Sequence, residues 1–270
     1  MSFPKEPGYL AFGDDGYTYP DGYGRPAPAS TYVVNSEASY LNLFATATDK
    51  QHLRGDASTW YLAKEGVAEK IHAYSPDAKI IVVFRHPADR AYSAWCHARR
   101  DQLEPCDNFA DALEQEADRG EVEYLLRYRS MGLYSAALQK YLSIFPASQV
   151  LVLFYDDLRA NPSGLWQQVC AFLDIDASQA PMFERKYNRS GQPRSRAIQR
   201  VLRSHQVKSF IKALKLHRQA LWFKQRIDDV NLQKFPPLDD QTRAQLLAYY
   251  KEDINVLSDL TGRDLEHWMQ

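Results

Sequence analysis

Arg85 closes an apolar run, Ile80-Ile81-Val82-Val83-Phe84, with Pro87 two positions on and Ser93 eight positions on. An arginine and a hydroxyl flanking a strand-to-helix turn are the parts of an anion site. Two Ile, two Val and a Phe in succession predict a strand buried on both faces. Pro87 suits the first position of a helix, where no amide hydrogen is needed. Ala91, Tyr92 and Trp95 then lie near one face of the helical pattern that follows. In open α/β sheets, ligands sit at the carboxyl ends of strands beside helix N-termini, where partial positive charge gathers. Ser93 can point its hydroxyl back to that place. The competing reading has Arg85 merely pairing with a neighbouring carboxylate such as Asp89.

Such a site needs a sheet and helices to hold it. At 270 residues, 45% hydrophobic and 25% charged, the chain suits one soluble α/β domain spanning 1–270. Residues 7–36, rich in Gly, Pro, Tyr and Asp without a period, predict a long loop. Helical signals follow at 37–46, then a short strand near 51–57 and a helix over 59–74. After the 79–84 strand and its helix, Asp107-Asn108-Phe109 starts another helix, and 131–145 is amphipathic. A second buried strand is expected at 149–155, with helices at 162–173, 195–226 and 239–260. Strands alternating with helices predict a parallel sheet covered by helices on both faces.

Several classes are disfavoured. The longest apolar runs are far too short to span a bilayer. The opening residues, Met1-Ser2-Phe3-Pro4-Lys5-Glu6-Pro7, have no basic-then-apolar signal. Cys96, Cys106 and Cys170 lack Cys-x-x-Cys spacing, which fits a reducing, cytoplasmic compartment and supports neither zinc nor a disulfide frame. The net charge of −1 is unevenly spread: residues 185–226 hold thirteen Lys or Arg and no acid. That block reads as a surface facing phosphate, sulfate, a polyanion or a membrane headgroup, or as a solvated helical face.

Phe84-Arg85-His86-Pro87 with Ser93 resembles the 3′-phosphate motif of sulfotransferases, which use 3′-phosphoadenosine 5′-phosphosulfate (PAPS) and release 3′-phosphoadenosine 5′-phosphate (PAP). Further segments agree, in the family's order. They are Gly132-Leu133-Tyr134 through Phe145-Pro146, the 150–155 run with Asp156-Asp157-Leu158, Phe172-Leu173-Asp174-Ile175, Tyr187 through Ser195, and Tyr249-Tyr250 through Trp268. The resemblance implies the P-loop-like sulfotransferase fold of bacterial members, no metal, and Arg85 and Ser93 on the ribose 3′-phosphate. Arg194, Ser195 and Arg196 fall in a segment similar to the cofactor-covering loop, and guanidinium forks suit phosphate. Tyr155 either stacks on adenine, as its counterpart does in cytosolic members, or packs in the core.

Lys5-Glu6-Pro7 is similar to a Lys-Glu segment whose glutamate serves carbohydrate sulfotransferases as general base. The match implies Glu6 as base and Lys5 as a helper near the transferring group. The sequence departs from that pattern at Gly8-Tyr9-Leu10, where the family often has His-Phe-Phe. Gly55-Asp56-Ala57-Ser58 resembles a segment near the cleft. Asp56 and Ser58 then line the acceptor site or form a helix cap. The aromatic group Tyr9, Phe12, Tyr17, Tyr19 and Tyr23 is either an acceptor platform or loop packing.

No segment here matches the family's opening strand and Gly-Thr-Thr loop, which cradle the 5′-phosphosulfate. The expectation is an amino-terminally incomplete sulfotransferase fold, with a loop-less protein as the alternative. The function implied is sulfuryl transfer from PAPS to a hydroxyl, or an amine, on a carbohydrate or small molecule. A catalytically silent nucleotide- or polyanion-binding protein on the same fold is the second reading, and a nucleic-acid partner is not expected.

Overall fold

Ile80–Phe84 forms β1 and Val150–Phe154 forms β2, parallel and in register, with Ile80 opposite Val150 and Phe84 opposite Phe154. The two strands therefore end level, delivering Arg85 and Tyr155 side by side. The computed structural model describes residues 5–48, 51–178, 180, 192–193 and 232–270. The basic block at 185–226 and the helices expected at 195–226 lie outside the described residues except for Gln192 and Pro193, which are described as β3 below.

Helix α5, Pro87–Arg100, follows β1 with Pro87 in its first turn, and buries Ala88, Ala91, Ala94, Trp95 and Ala98. The crossover to β2 runs through α6 (Phe109–Gln115), capped by the Asn108 side chain, and α7 (Ser135–Ile144). Helix α8 (Tyr155–Ala160) leaves β2 at once, and α9 (Pro162–Leu173) packs back on the strand. The Asn161 side chain accepts from the Gly164 amide, which stops α8 and starts α9. The closing helix α10, Asp240–Thr261, starts at the Asp239 cap and ends at Gly262 in the left-handed conformation. Its Leu246, Tyr250, Ile254 and Leu257 join Val82, Phe84, Leu138 and Phe154 in the larger core. Gly132 permits this packing, because a β-carbon there would lie 2.6–2.8 Å from the Tyr250 phenol.

The strand β1 is not buried on both faces. Val82 and Phe84 are covered, but Ile81 is 38% and Val83 53% exposed. An unbroken apolar run gives no alternation from which an open face could be read. Residues 51–57 form no strand; Gly55 and the charged side chains around it leave an extended segment held by side-chain bonds instead. The helix expected over 59–74 is two helices, α3 (Trp60–Ala63) and α4 (Val67–Tyr74), parted where Gly66 takes a φ of 78°. The 37–46 helix stops early, as α2 (Glu37–Asn42).

The long amino-terminal loop is packed. It contains one short helix, α1 (Tyr9–Phe12), and two 3-10 turns. Phe12 and Tyr17 are buried in a second core with Trp60, Val67, Tyr124, Tyr141 and Phe145. Both cores recruit Leu62, Ile80 and Val150 at their margins, so the loop is seated on the start of the strand pair. Among the described residues no helix is long and apolar enough to cross a membrane.

Candidate active site

Arg85 is half-buried at the level strand ends. Its backbone carbonyl accepts from the Tyr134 hydroxyl at 3.0 Å, and the Tyr134 ring lies 4.8 Å from Phe84, fixing the strand end from α7's side. The guanidinium rests 5.3 Å from the centre of the Tyr155 ring, a cation–π contact across the two strand ends. Pairing with Asp89 does not occur. Asp89 instead accepts from Arg243 of α10 at 2.7 Å, and among the described residues no carboxylate pairs with Arg85. A half-buried cation without a counter-ion, beside the start of a fourteen-residue helix, is suited to an external anion.

Ser93 lies on α5, half-buried, and its hydroxyl has no hydrogen bond among the described residues. Cys96 is one turn further along the same helix face. Burial pushes the Cys96 thiol up to about 11, against which the Tyr92 hydrogen bond and the Arg85 charge act. The helix start has its own cap, which sequence reasoning missed: His86 Nδ1 accepts from the Asp89 amide at 3.4 Å. Burial lowers the His86 pKa, keeping the ring neutral and able to accept. The dipeptide strand β3, Gln192–Pro193, pairs with β4, Leu232–Gln233, and packs on α5. Arg194, Ser195 and Arg196 lie outside the described residues, directly after that anchored dipeptide.

Glu6 and Lys5 belong to a second group. Lys5 is exposed, whereas Glu6 is half-buried and its carboxylate makes no hydrogen bond among the described residues. Its φ of 60° is left-handed, a conformation that costs about 1–2 kcal/mol for a side-chain-bearing residue. Burial raises the Glu6 pKa above the usual carboxylate range; Lys5 opposes the shift and Asp56 adds to it. A desolvated, unbonded carboxylate of raised pKa is suited to taking a proton.

Asp56 and Ser58 do not form a helix cap, since α3 begins without a side-chain cap bond. Asp56 Oδ1 accepts from Ser58 at 2.8 Å, while Oδ2 accepts from Tyr61 at 2.6 Å and from Tyr40 at 3.2 Å. Ser58 is buried and accepts in turn from the Gly8 amide at 3.1 Å. Of the aromatic group, Phe12 and Tyr17 are core, Tyr9 stacks on Tyr40 at 5.1 Å, and Tyr23 is exposed. Tyr32, partly open, stacks on Trp60 at 6.3 Å.

Glu123 was not legible as a site residue, being one acid in an acid-rich stretch. It is buried, with the Tyr17 hydroxyl donating to Oε1 at 3.0 Å. Burial lifts its carboxyl to about 7, against the Tyr17 bond and with help from Asp21. Glu104, wholly buried, contrasts with it: Arg119, Tyr128 and the Cys106 amide all bond its carboxylate, and together they outweigh burial and lower its pKa. In the unfolded chain Glu123 ionises near about pH 4.3. Between there and about 7 the folded state holds the extra proton, so this group makes stability fall as pH rises. Glu123→Gln keeps an acceptor for Tyr17 with no charge to bury. Its melting temperature is expected to match the wild type at about pH 4.5 and to exceed it by several degrees at about pH 8.

A family model, Sulfotransferase domain, matches residues 68–214, more than half of the chain. The bifunctional heparan sulfate N-deacetylase/N-sulfotransferase 2 of Homo sapiens is 32% identical over 124 residues, 44% of this chain and 14% of that protein. The N-deacetylase/N-sulfotransferase 4 of Mus musculus is 24% identical over 240 residues, 86% of this chain and 25% of the relative. The chain thus spans about a quarter or less of these curated relatives. Among solved structures, a sulfotransferase from Alicyclobacillus acidocaldarius superposes with a TM-score of 0.73 at 24% identity, covering all of this chain and 87% of the other, which establishes the fold. The chain belongs to the sulfotransferase domain family.

Proposed function

We propose that the chain transfers a sulfuryl group from PAPS to a hydroxyl or amine of a carbohydrate, with Arg85 and Ser93 holding the donor's 3′-phosphate and Glu6 serving as base. The observation that carries this reading is the state of Arg85. It is half-buried, level with Tyr155, beside a helix start, and without a carboxylate partner among the described residues. A phosphate at that point gains the guanidinium fork and the favourable helix terminus together. Ser93, on α5, adds a neutral donor. Tyr155, partly exposed, lies under the guanidinium at the same place, suited to a nucleobase or to holding the arginine. The anchored Gln192–Pro193 dipeptide leads the chain into Arg194, Ser195 and Arg196 from the α5 surface, which supports their assignment to the same anion.

PAPS, when bound, supplies the sulfuryl group and departs as PAP. Glu6 takes the proton of the attacking hydroxyl or ammonium-derived nitrogen at a carboxylate oxygen, so that the acceptor attacks as its bond to hydrogen weakens. Lys5, adjacent and exposed, supplies positive charge near the transferring oxygens. The names of the relatives, which concern heparan sulfate, bring a carbohydrate acceptor to the reading. Incubation with radiosulfur-labelled PAPS and an oligosaccharide bearing a free amine and free hydroxyls is expected to yield labelled sugar. PAP binding without labelled product would contradict transfer and leave a binding protein.

A further inference from the structure

Asp56 collects three hydroxyl donors, and two of those hydroxyls each accept a backbone amide from the segment following Glu6. The Gly8 amide donates to Ser58 Oγ at 3.1 Å, and Ser58 donates to Asp56 Oδ1 at 2.8 Å. In parallel, the Leu10 amide donates to Tyr61 Oη at 3.3 Å, and Tyr61 donates to Asp56 Oδ2 at 2.6 Å. Tyr40 donates to Oδ2 as well, at 3.2 Å.

We propose that Asp56 is a positioning residue, which locks the strained backbone carrying Glu6 through these two amide–hydroxyl–carboxylate relays. The assignment rests on Glu6 being the base. The polarity of the relays follows from the chemistry of the groups. A carboxylate only accepts, so each hydroxyl must spend its single proton on Asp56 and turn its lone pairs outward. Those lone pairs then meet the Gly8 and Leu10 amides. A neutral residue at position 56 loses that enforcement, because an amide offers one accepting atom instead of two. Bonds to a charged acceptor are also the stronger kind, near twice the neutral ones.

The relays answer a structural need. Glu6 sits at a φ of 60° and Gly8 at 66°, so the base is delivered by two left-handed residues within three positions. Such conformations persist only where the surroundings over-determine them. The Val34 amide, donating to the Pro7 carbonyl at 2.8 Å, fixes the other edge of the turn. The charged groups acting on Glu6 are Lys5 and Asp56; burial raises the Asp56 pKa, while the hydroxyls of Tyr61, Ser58 and Tyr40 oppose the shift by bonding its ionised form; Tyr32 is a phenol that senses Glu6. Asp56 and Ser58, read from sequence as lining the acceptor site or as a helix cap, are thereby assigned to holding the base.

The test is carbon-detected NMR titration of the Glu6 carboxyl, assigned with Glu6→Gln, together with amide exchange at Gly8 and Leu10. In the wild type, Glu6 is expected to titrate above the ordinary glutamate range. In Ser58→Ala and in Tyr61→Phe, which keeps the ring packing, exchange at the matching amide should quicken by about tenfold or more. In the double variant Glu6 should return toward the ordinary value, with PAP affinity within about twofold of wild type. An unmoved Glu6 titration and unchanged exchange in folded Tyr61→Phe would overturn the positioning role. Loss of wild-type PAP binding would instead strike the functional reading, while exchange at Gly8 and Leu10 still judges the relays.

Discussion

Replacing Glu6 with glutamine is expected to lower kcat for sulfuryl transfer by about 10²–10⁴-fold while leaving PAP affinity intact. The substitution keeps the side chain's size and one accepting oxygen, but removes the group that can hold a proton. The wild-type carboxyl is raised by burial, with Asp56 adding to the shift and Lys5 opposing it. A base works in its unprotonated form, so kcat/KM should fall as pH drops through that raised pKa. The limb should sit at higher pH than an ordinary glutamate would give, and should vanish in Glu6→Gln. Steady-state rates across pH in both proteins check it. Full turnover in Glu6→Gln would remove Glu6 from the chemistry.

Arg85→Ala is expected to weaken PAP binding by about 100-fold or more, because a fork of two charge-assisted bonds is lost, together worth about 3 kcal/mol at the least. Arg85→Lys should recover only part of this, since a point charge cannot make paired planar contacts. Ser93→Ala removes one neutral donor and should cost no more than about tenfold. The folded state should barely notice Arg85→Ala. Its guanidinium serves no ion pair among the described residues and contacts Tyr155 alone among the rings. A melting temperature close to wild type alongside lost affinity would separate a ligand-binding role from a structural one.

The parts of this site that lie close in sequence were legible. The strand end at Arg85, the Pro87 start of α5, α9 over Pro162–Leu173 and the Asp239-capped closing helix all carry local signals of period, cap and breaker. What the sequence withheld depends on partners far apart along it. Asp89 is claimed by Arg243, 154 positions away, which sets aside its pairing with Arg85. Ser58 and Tyr61 accept from amides 50 and 51 residues upstream, contacts that the segment around Gly55 does not announce. Glu123 gains its raised pKa from burial, against the bond from Tyr17, 106 residues distant. The open face of β1 was hidden for another reason: a run of five apolar residues has the same appearance whether one face or two are covered.

On the proposed reading, Arg85 holds the 3′-phosphate of the donor nucleotide. Calorimetric titration of PAP and of adenosine 5′-phosphate, which differ only in that phosphate, tests it most directly. The wild type is expected to prefer PAP by about 100-fold or more, and Arg85→Ala to lose most of that preference, keeping only the share that Ser93 and the other phosphate partners supply. Equal affinity of the wild-type chain for both nucleotides, or a preference undiminished in Arg85→Ala, would contradict it.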